Sequence, residues 1–129
     1  MKREIETKEA PDILNRSFRF AVRVVKLCGY LDRTGGVARI LMPQILRAGT
    51  SMVSNIEEAQ AGQSRADFTA KMGIALREAR ETHVRLRILS EAAVIPNARL
   101  TPITNEADEI KRILGAIVFS SRSRTEMAA

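Results

Sequence analysis

Three glutamates stand out as groups that could do chemistry together. On a helical reading of the chain, Glu58, Glu78 and Glu81 can meet inside a bundle, and facing carboxylates can hold a di-metal centre. Such centres pair their glutamates with a Glu-x-x-His repeat. Here the residues three places after Glu78 and Glu81 are Glu81 and Val84. The chain has one histidine, His83, and one cysteine, Cys28, so a single chain cannot assemble a His/Cys metal cluster. His83 falls one turn beyond Ala79 on an apolar stripe and reads as a core or interface residue. No Gly-rich phosphate loop precedes a helix, and Gly35-Gly36 is a turn rather than a phosphate-binding loop. Arg47, Thr50 and Asn55 are the expected counter-groups of the glutamates, giving a structural hydrogen-bonded network. No enzyme activity, metal or cofactor is expected.

A second constellation is cationic. Arg16, Arg19, Arg23 and Lys26 recur at i, i+3, i+7 and i+10, with no acid between Asp12 and Lys26. Such a face is either solvated surface or a phosphate-contacting stripe. The formal net charge of +6 allows an anionic partner without requiring one. Only 4% of residues are aromatic and tryptophan is absent, so base stacking is disfavoured. Any nucleic-acid contact should be directed at the backbone and sensitive to salt.

The elements that position these groups are helices. The stretch Gln44–Ala59, with Leu41 and Met42 just ahead of it, carries an apolar arc of Leu41, Met42, Ile45, Gly49, Met52, Val53 and Ile56, with Gln44, Ser51, Asn55 and Glu58 as a polar stripe beside it. Gly49, Thr50, Ser51, Ser54 and Asn55 are poor helix formers, so packing must hold this segment helical. Helices are predicted over about 12–31, 37–60, 65–93 and 102–121, in one domain covering 1–129. Asp12 and Thr101-Pro102 read as helix starts. Ser64 with Asp67 reads as a cap, Gly62 as a helix-ending residue, and Pro43 as a bend or a start. Short links and the absence of any strand signal indicate an antiparallel up-down-up-down four-helix bundle, an all-α fold.

The first helix has two apolar stripes, one of Leu14, Phe18, Ala21, Val22 and Val25, the other of Ile13, Phe20, Val24, Leu27 and Leu31. The third is two-sided as well. A second apolar side implies that several copies associate, and Phe20, Val24, Leu27, Ile74, Val84 and Ile88 are the expected contacts. A lone cysteine fits a reducing compartment. No apolar run reaches the roughly 20 residues that span a bilayer, and the charged start MKREIETKEAPD lacks the apolar core of a signal peptide. The expectation is a soluble, cytoplasmic protein without a membrane role.

QILRAGTSMVSNIEEA (44–59) and SRADFTAKMGIALREARET (64–82), with FRFAVRVVKLCGYL (18–31) and EADEIKRIL (106–114), together resemble the bacterial family of 23S rRNA intervening-sequence proteins. Arg47, Gly49, Thr50, Ser51, Asn55 and Glu58 match its second-helix motif, and Glu78, Glu81 and Thr82 its third. Ala48, Val53-Ser54 and Arg85 depart from it. The resemblance implies an antiparallel four-helix bundle assembled into a ring-like homopentamer. It also includes a relative, the accessory variability protein of diversity-generating retroelements, that binds its reverse transcriptase and nucleic acid through a basic surface. Two functions follow as expectations. One is a nucleic-acid-binding or nucleoprotein accessory module contacting RNA or DNA through Arg16, Arg19, Arg23 and Lys26. The other is an oligomeric protein-interaction scaffold.

Overall fold

The computed structural model describes residues 2–128, with side chains described over 12–124 and at 126 and 127. Four helices account for the fold, with no strand among the described residues: α1 (Lys2–Thr34), α2 (Gly36–Ala61), α3 (Arg65–Glu91) and α4 (Asn97–Ala128).

Several helix ends differ from those expected. Asp12 is not a cap, because α1 starts ten residues earlier and runs through Pro11; the Lys/Glu-rich segment ahead of the proline has strong helix propensity. Thr101 lies inside α4, its hydroxyl donating to the Asn97 carbonyl at 3.0 Å, and α4 extends to Ala128. Likewise α2 continues through Pro43. Gly62 is extended (φ −64°, ψ 153°) rather than left-handed. The Ser64 cap is as expected, its side chain accepting from the Asp67 N–H at 3.0 Å. Between α1 and α2, Gly35 and Gly36 take φ of 77° and 58°, a region that glycine enters without a Cβ penalty. Past α3 the same left-handed position is taken by Ala93, at φ 53°, which is why no glycine marks that end.

Each helix delivers large side chains to one shared core: Ile13, Phe20 and Leu31 from α1, Ile45, Met52 and Ile56 from α2, Met72, Leu86 and Leu89 from α3, and Leu100, Ile110 and Leu114 from α4. Each is worth about 1.5–3 kcal/mol when fully buried. α1 packs on α2 and α4, α3 packs on the same two, and α1 and α3 do not meet. The residue pairs across each junction are Val24 with Gly49, Cys28 with Met42, Arg47 with Glu78 and Lys71 with Glu58, Thr69 with Ser121, and Arg16 with Glu106.

This arrangement corrects the expected contact surface on α1. Phe20, Val24 and Leu27 belong to the protomer's own core, at 1%, 0% and 8% exposure, and cannot meet a second copy. Both stripes have helical spacing, but α2 and α4 close over the one centred on Val24. The outward stripe is the other one, with Phe18, Val22 and Val25 exposed and Leu14 partly buried, although its Ala21 is buried. On α3, Val84 and Ile88 are exposed and Ile74 is half-buried.

Candidate nucleic-acid interface

Of the four cations expected to act together on α1, the structure separates one. The Arg16 guanidinium donates to both carboxylate oxygens of Glu106, through Nε at 2.7 Å and Nη2 at 2.8 Å, and lies 3.1 Å from Glu109. That fork ties α1 to α4 and takes Arg16 out of the exposed cationic stripe. Its acids, Glu106 and Glu109, lie 90 and 93 residues away in sequence, so no local pattern reveals them. Glu106 is held below the ordinary carboxylate range, first by the Arg16 hydrogen bond, against burial, with Arg23 and Arg19 adding their fields. Arg19, Arg23 and Lys26 remain exposed and form no ion pair among the described residues.

A second cationic surface was missed in the sequence. Arg77, Arg80 and Arg87 of α3 and Arg122 of α4 are exposed, and none forms an ion pair among the described residues. The signal was there: the helix alternates cations with Glu78 and Glu81, and those acids sit on the inward side. With the acids turned in, the outer face is left basic.

The inward side is the polar junction of α2 and α3. Arg47 donates to Glu78 at 2.9 Å and Glu81 at 3.2 Å, and Arg85 donates to Glu81 at 3.2 Å. Glu81 is held below the ordinary carboxylate range, at about 2, by its polar neighbours Glu78, Arg85 and Arg47. Glu58 lies apart, paired with Lys71 at 3.2 Å. Thr50 and Asn55 do not join the glutamates as expected. The Thr50 hydroxyl donates to the Leu46 carbonyl at 2.8 Å, and the Asn55 amide to the Ser51 carbonyl and hydroxyl at 2.9 and 3.2 Å. Thr82 does likewise, donating to the Glu78 carbonyl at 2.8 Å. These short side chains satisfy themselves within their own helix, which leaves their small outlines free for packing. Gly49 shows the result, standing directly against Val24.

The remaining reactive groups are also bound into the scaffold. Burial pushes the Cys28 thiol up to about 11, so it stays protonated. His83 sits between α3 and α4, with Nδ1 3.3 Å from Lys111 Nζ and Nε2 3.7 Å from Asp108. Burial, then the Lys111 charge, lower its pKa. A neutral ring accepting from the lysine at Nδ1 is the tautomer this geometry supports. Among the described residues no group of three or more His, Cys, Asp or Glu can hold a metal ion, and no helix is long and apolar enough to cross a membrane.

Four packed helices, tied across their junctions by ion pairs and carrying outward-facing cations, define an all-α helical bundle. Over residues 9–116 the chain matches the family model of the 23S rRNA-intervening sequence protein, and it belongs to that family. It is also similar to a solved structure from Bacteroides thetaiotaomicron, described as a protein of unknown function from the S23 ribosomal protein family. The two share 38% identity with a TM-score of 0.77, over 85% of this chain and 97% of that one. No curated protein matches the chain.

Proposed function

We propose that this chain is a non-catalytic, antiparallel up-down-up-down bundle that assembles into a ring-like homo-oligomer, five copies favoured. It acts in the cytoplasm as a nucleic-acid-binding or nucleoprotein accessory protein. The single observation that carries the nucleic-acid reading is the exposed cations on two helices, Arg19, Arg23 and Lys26 on α1 and Arg80 and Arg87 on α3, which form no ion pair among the described residues, while Glu106, Glu109, Glu78 and Glu81 are taken up by Arg16 and Arg47. Cations without partners lose little when they take up phosphates, and the released counterions drive binding. Each copy at +6 repeats the field around a ring, and polyvalent contact raises avidity without any new interaction. The antiparallel reading is supported by the pairing of Arg47 with Glu78 while Glu58 pairs with Lys71, and of Thr69 with Ser121 while His83 lies by Asp108.

The test is fluorescence anisotropy of a generic RNA and a generic DNA across a salt series. The expected result is weak binding that ignores sequence and falls steeply with salt, each neutralised phosphate contributing about −0.9 to the log–log slope on duplex DNA. No binding at low salt would leave the second reading, an oligomeric scaffold, which the exposed Phe18, Val22 and Val25 favour.

A further inference from the structure

The protomer carries a bulky ridge on one side and an empty groove on the other, and its own fold needs neither. The ridge is Leu14, Phe18, Val22 and Val25 on α1, with Phe18 60% exposed. The groove lies between the first half of α3 and the last part of α4, measures about 520 Å³, and is lined by Ala70, Gly73 and Ile74 with Arg77, Arg122 and Glu126 beside them. A glycine inside a helix costs about 1 kcal/mol against alanine, which is repaid where packing requires the absence of a side chain. Gly73 has no such reason within the protomer, since a Cβ there would meet only Arg122 Nη2, at 3.6 Å. Gly115, on α4 between its two ties to α3 at Lys111 and Ser121, would meet nothing within 4 Å.

Charge points the same way. Glu57 on α2 is exposed and without an ion pair among the described residues. The contacts of Val24 with Gly49 and Cys28 with Met42 put it level with the Leu14 end of the ridge. The groove offers Arg77 and Arg122 against one acid, Glu126, none of them in an ion pair among the described residues, so its free charge is net positive and opposite to that of Glu57, and the two surfaces differ in charge as well as relief. Because α1 and α3 do not meet, the surfaces lie on different sides of one copy. A contact between them is head-to-tail, the kind that generates rings.

We infer that the α3–α4 groove of one copy receives the Phe18 ridge of a second copy, with Glu57 of that copy beside Arg77 and Arg122. This rests on the assembly part of the proposed function and names the surfaces that carry it. The test uses light scattering coupled to size exclusion on the full chain, with Phe18→Glu to spoil the ridge and Gly73→Leu to fill the groove. Both positions have room, so helicity by circular dichroism should be unchanged. Each variant alone should fall to the single-chain mass of 14.3 kDa. Mixed, they should form a 1:1 dimer and nothing larger, because Phe18→Glu keeps its groove and Gly73→Leu keeps its ridge. An oligomeric parent whose mass neither variant changes overturns the docking while leaving assembly intact. Variants that both become monomeric but never pair on mixing also overturn it, since that outcome belongs to a different interface. A parent that is itself monomeric at micromolar concentration defeats the assembly reading as a whole.

Discussion

Gly49 and Val24 set how closely α1 and α2 approach: a Cβ on Gly49 would stand 2.9 Å from Cγ1 of Val24 and 3.1 Å from Cγ2. Both residues are buried, so neither can yield without moving its helix. Gly49→Ala gains about 1 kcal/mol of helix propensity and loses about 1–3 kcal/mol to overpacking. The expected net result is a lower urea midpoint. In a Val24→Ala background the same substitution should be neutral or stabilising, and the double-mutant cycle measures the coupling. A Gly49→Ala variant more stable than the parent in both backgrounds contradicts the close approach.

The Arg47 junction makes a different prediction. Glu78 keeps only 6% of its side chain exposed, while Arg47 keeps 56%, so the arginine reaches in from the rim to a carboxylate that cannot reach out. Arg47→Met should lower stability by about 1–3 kcal/mol by leaving that acid without its partner. Arg47→Met with Glu78→Met should recover much of the loss, because removing both ends also removes the desolvation cost. Asn55→Leu should stay within about 0.5 kcal/mol, its amide being bonded only inside its own helix. Chemical denaturation of the set gives the ranking, and an Asn55→Leu loss as large as that of Arg47→Met argues against it.

These two sites show what could be read from the sequence. The four helices follow from apolar periodicity, and the small residues of α2 correctly announce a close neighbour. Which of two equally periodic stripes on α1 turns inward is not a property of α1. It is decided by where α2 and α4 lie, and the glycine that settles it sits 25 positions from Val24. Arg16 was indistinguishable from Arg19 and Arg23 for the same reason, since Glu106 becomes its neighbour only through folding. For Thr50 and Asn55 the residue type shows hydrogen-bonding capacity but not whether the partner is a glutamate on another helix or, as found, a carbonyl four residues back.

His83 gives a pH dependence with a definite sign. Its folded pKa is lowered from the ordinary value of about 6.5 by burial and by Lys111, with Asp108 opposing. The unfolded chain therefore binds the proton more readily, and stability contributed by the neutral ring is full above about pH 6.5 and lost as pH falls through the folded value. The carboxylates act lower: Glu81, Glu106 and Asp108 are all held below their usual range, so their contribution is present above about pH 4.5 and disappears beneath it. Urea midpoints from pH 8 to pH 5 should fall in the parent and stay nearly level in His83→Gln. Parallel curves for the two proteins dispose of the assignment.

The last prediction separates the arginines of α1 by job. Arg16 is forked onto Glu106 and touches Glu109, with 26% of its side chain exposed, whereas Arg19 and Arg23 are exposed and form no ion pair among the described residues. Arg16→Gln should lower stability by about 1–3 kcal/mol, since it leaves a part-buried carboxylate without its charged donor. It also frees the negative charge of Glu106 beside Arg19 and Arg23, so it should weaken nucleic-acid binding as well, and Arg16→Gln with Glu106→Gln should restore that binding. Arg19→Gln with Arg23→Gln should leave the melting curve and the oligomer mass unchanged. It should weaken RNA and DNA binding without regard to sequence and make the salt slope shallower by up to about 2, one phosphate contact for each charge removed. If the Arg19/Arg23 double variant binds like the parent at low salt, this face is solvated surface and the cations of α3 must carry any contact with the backbone.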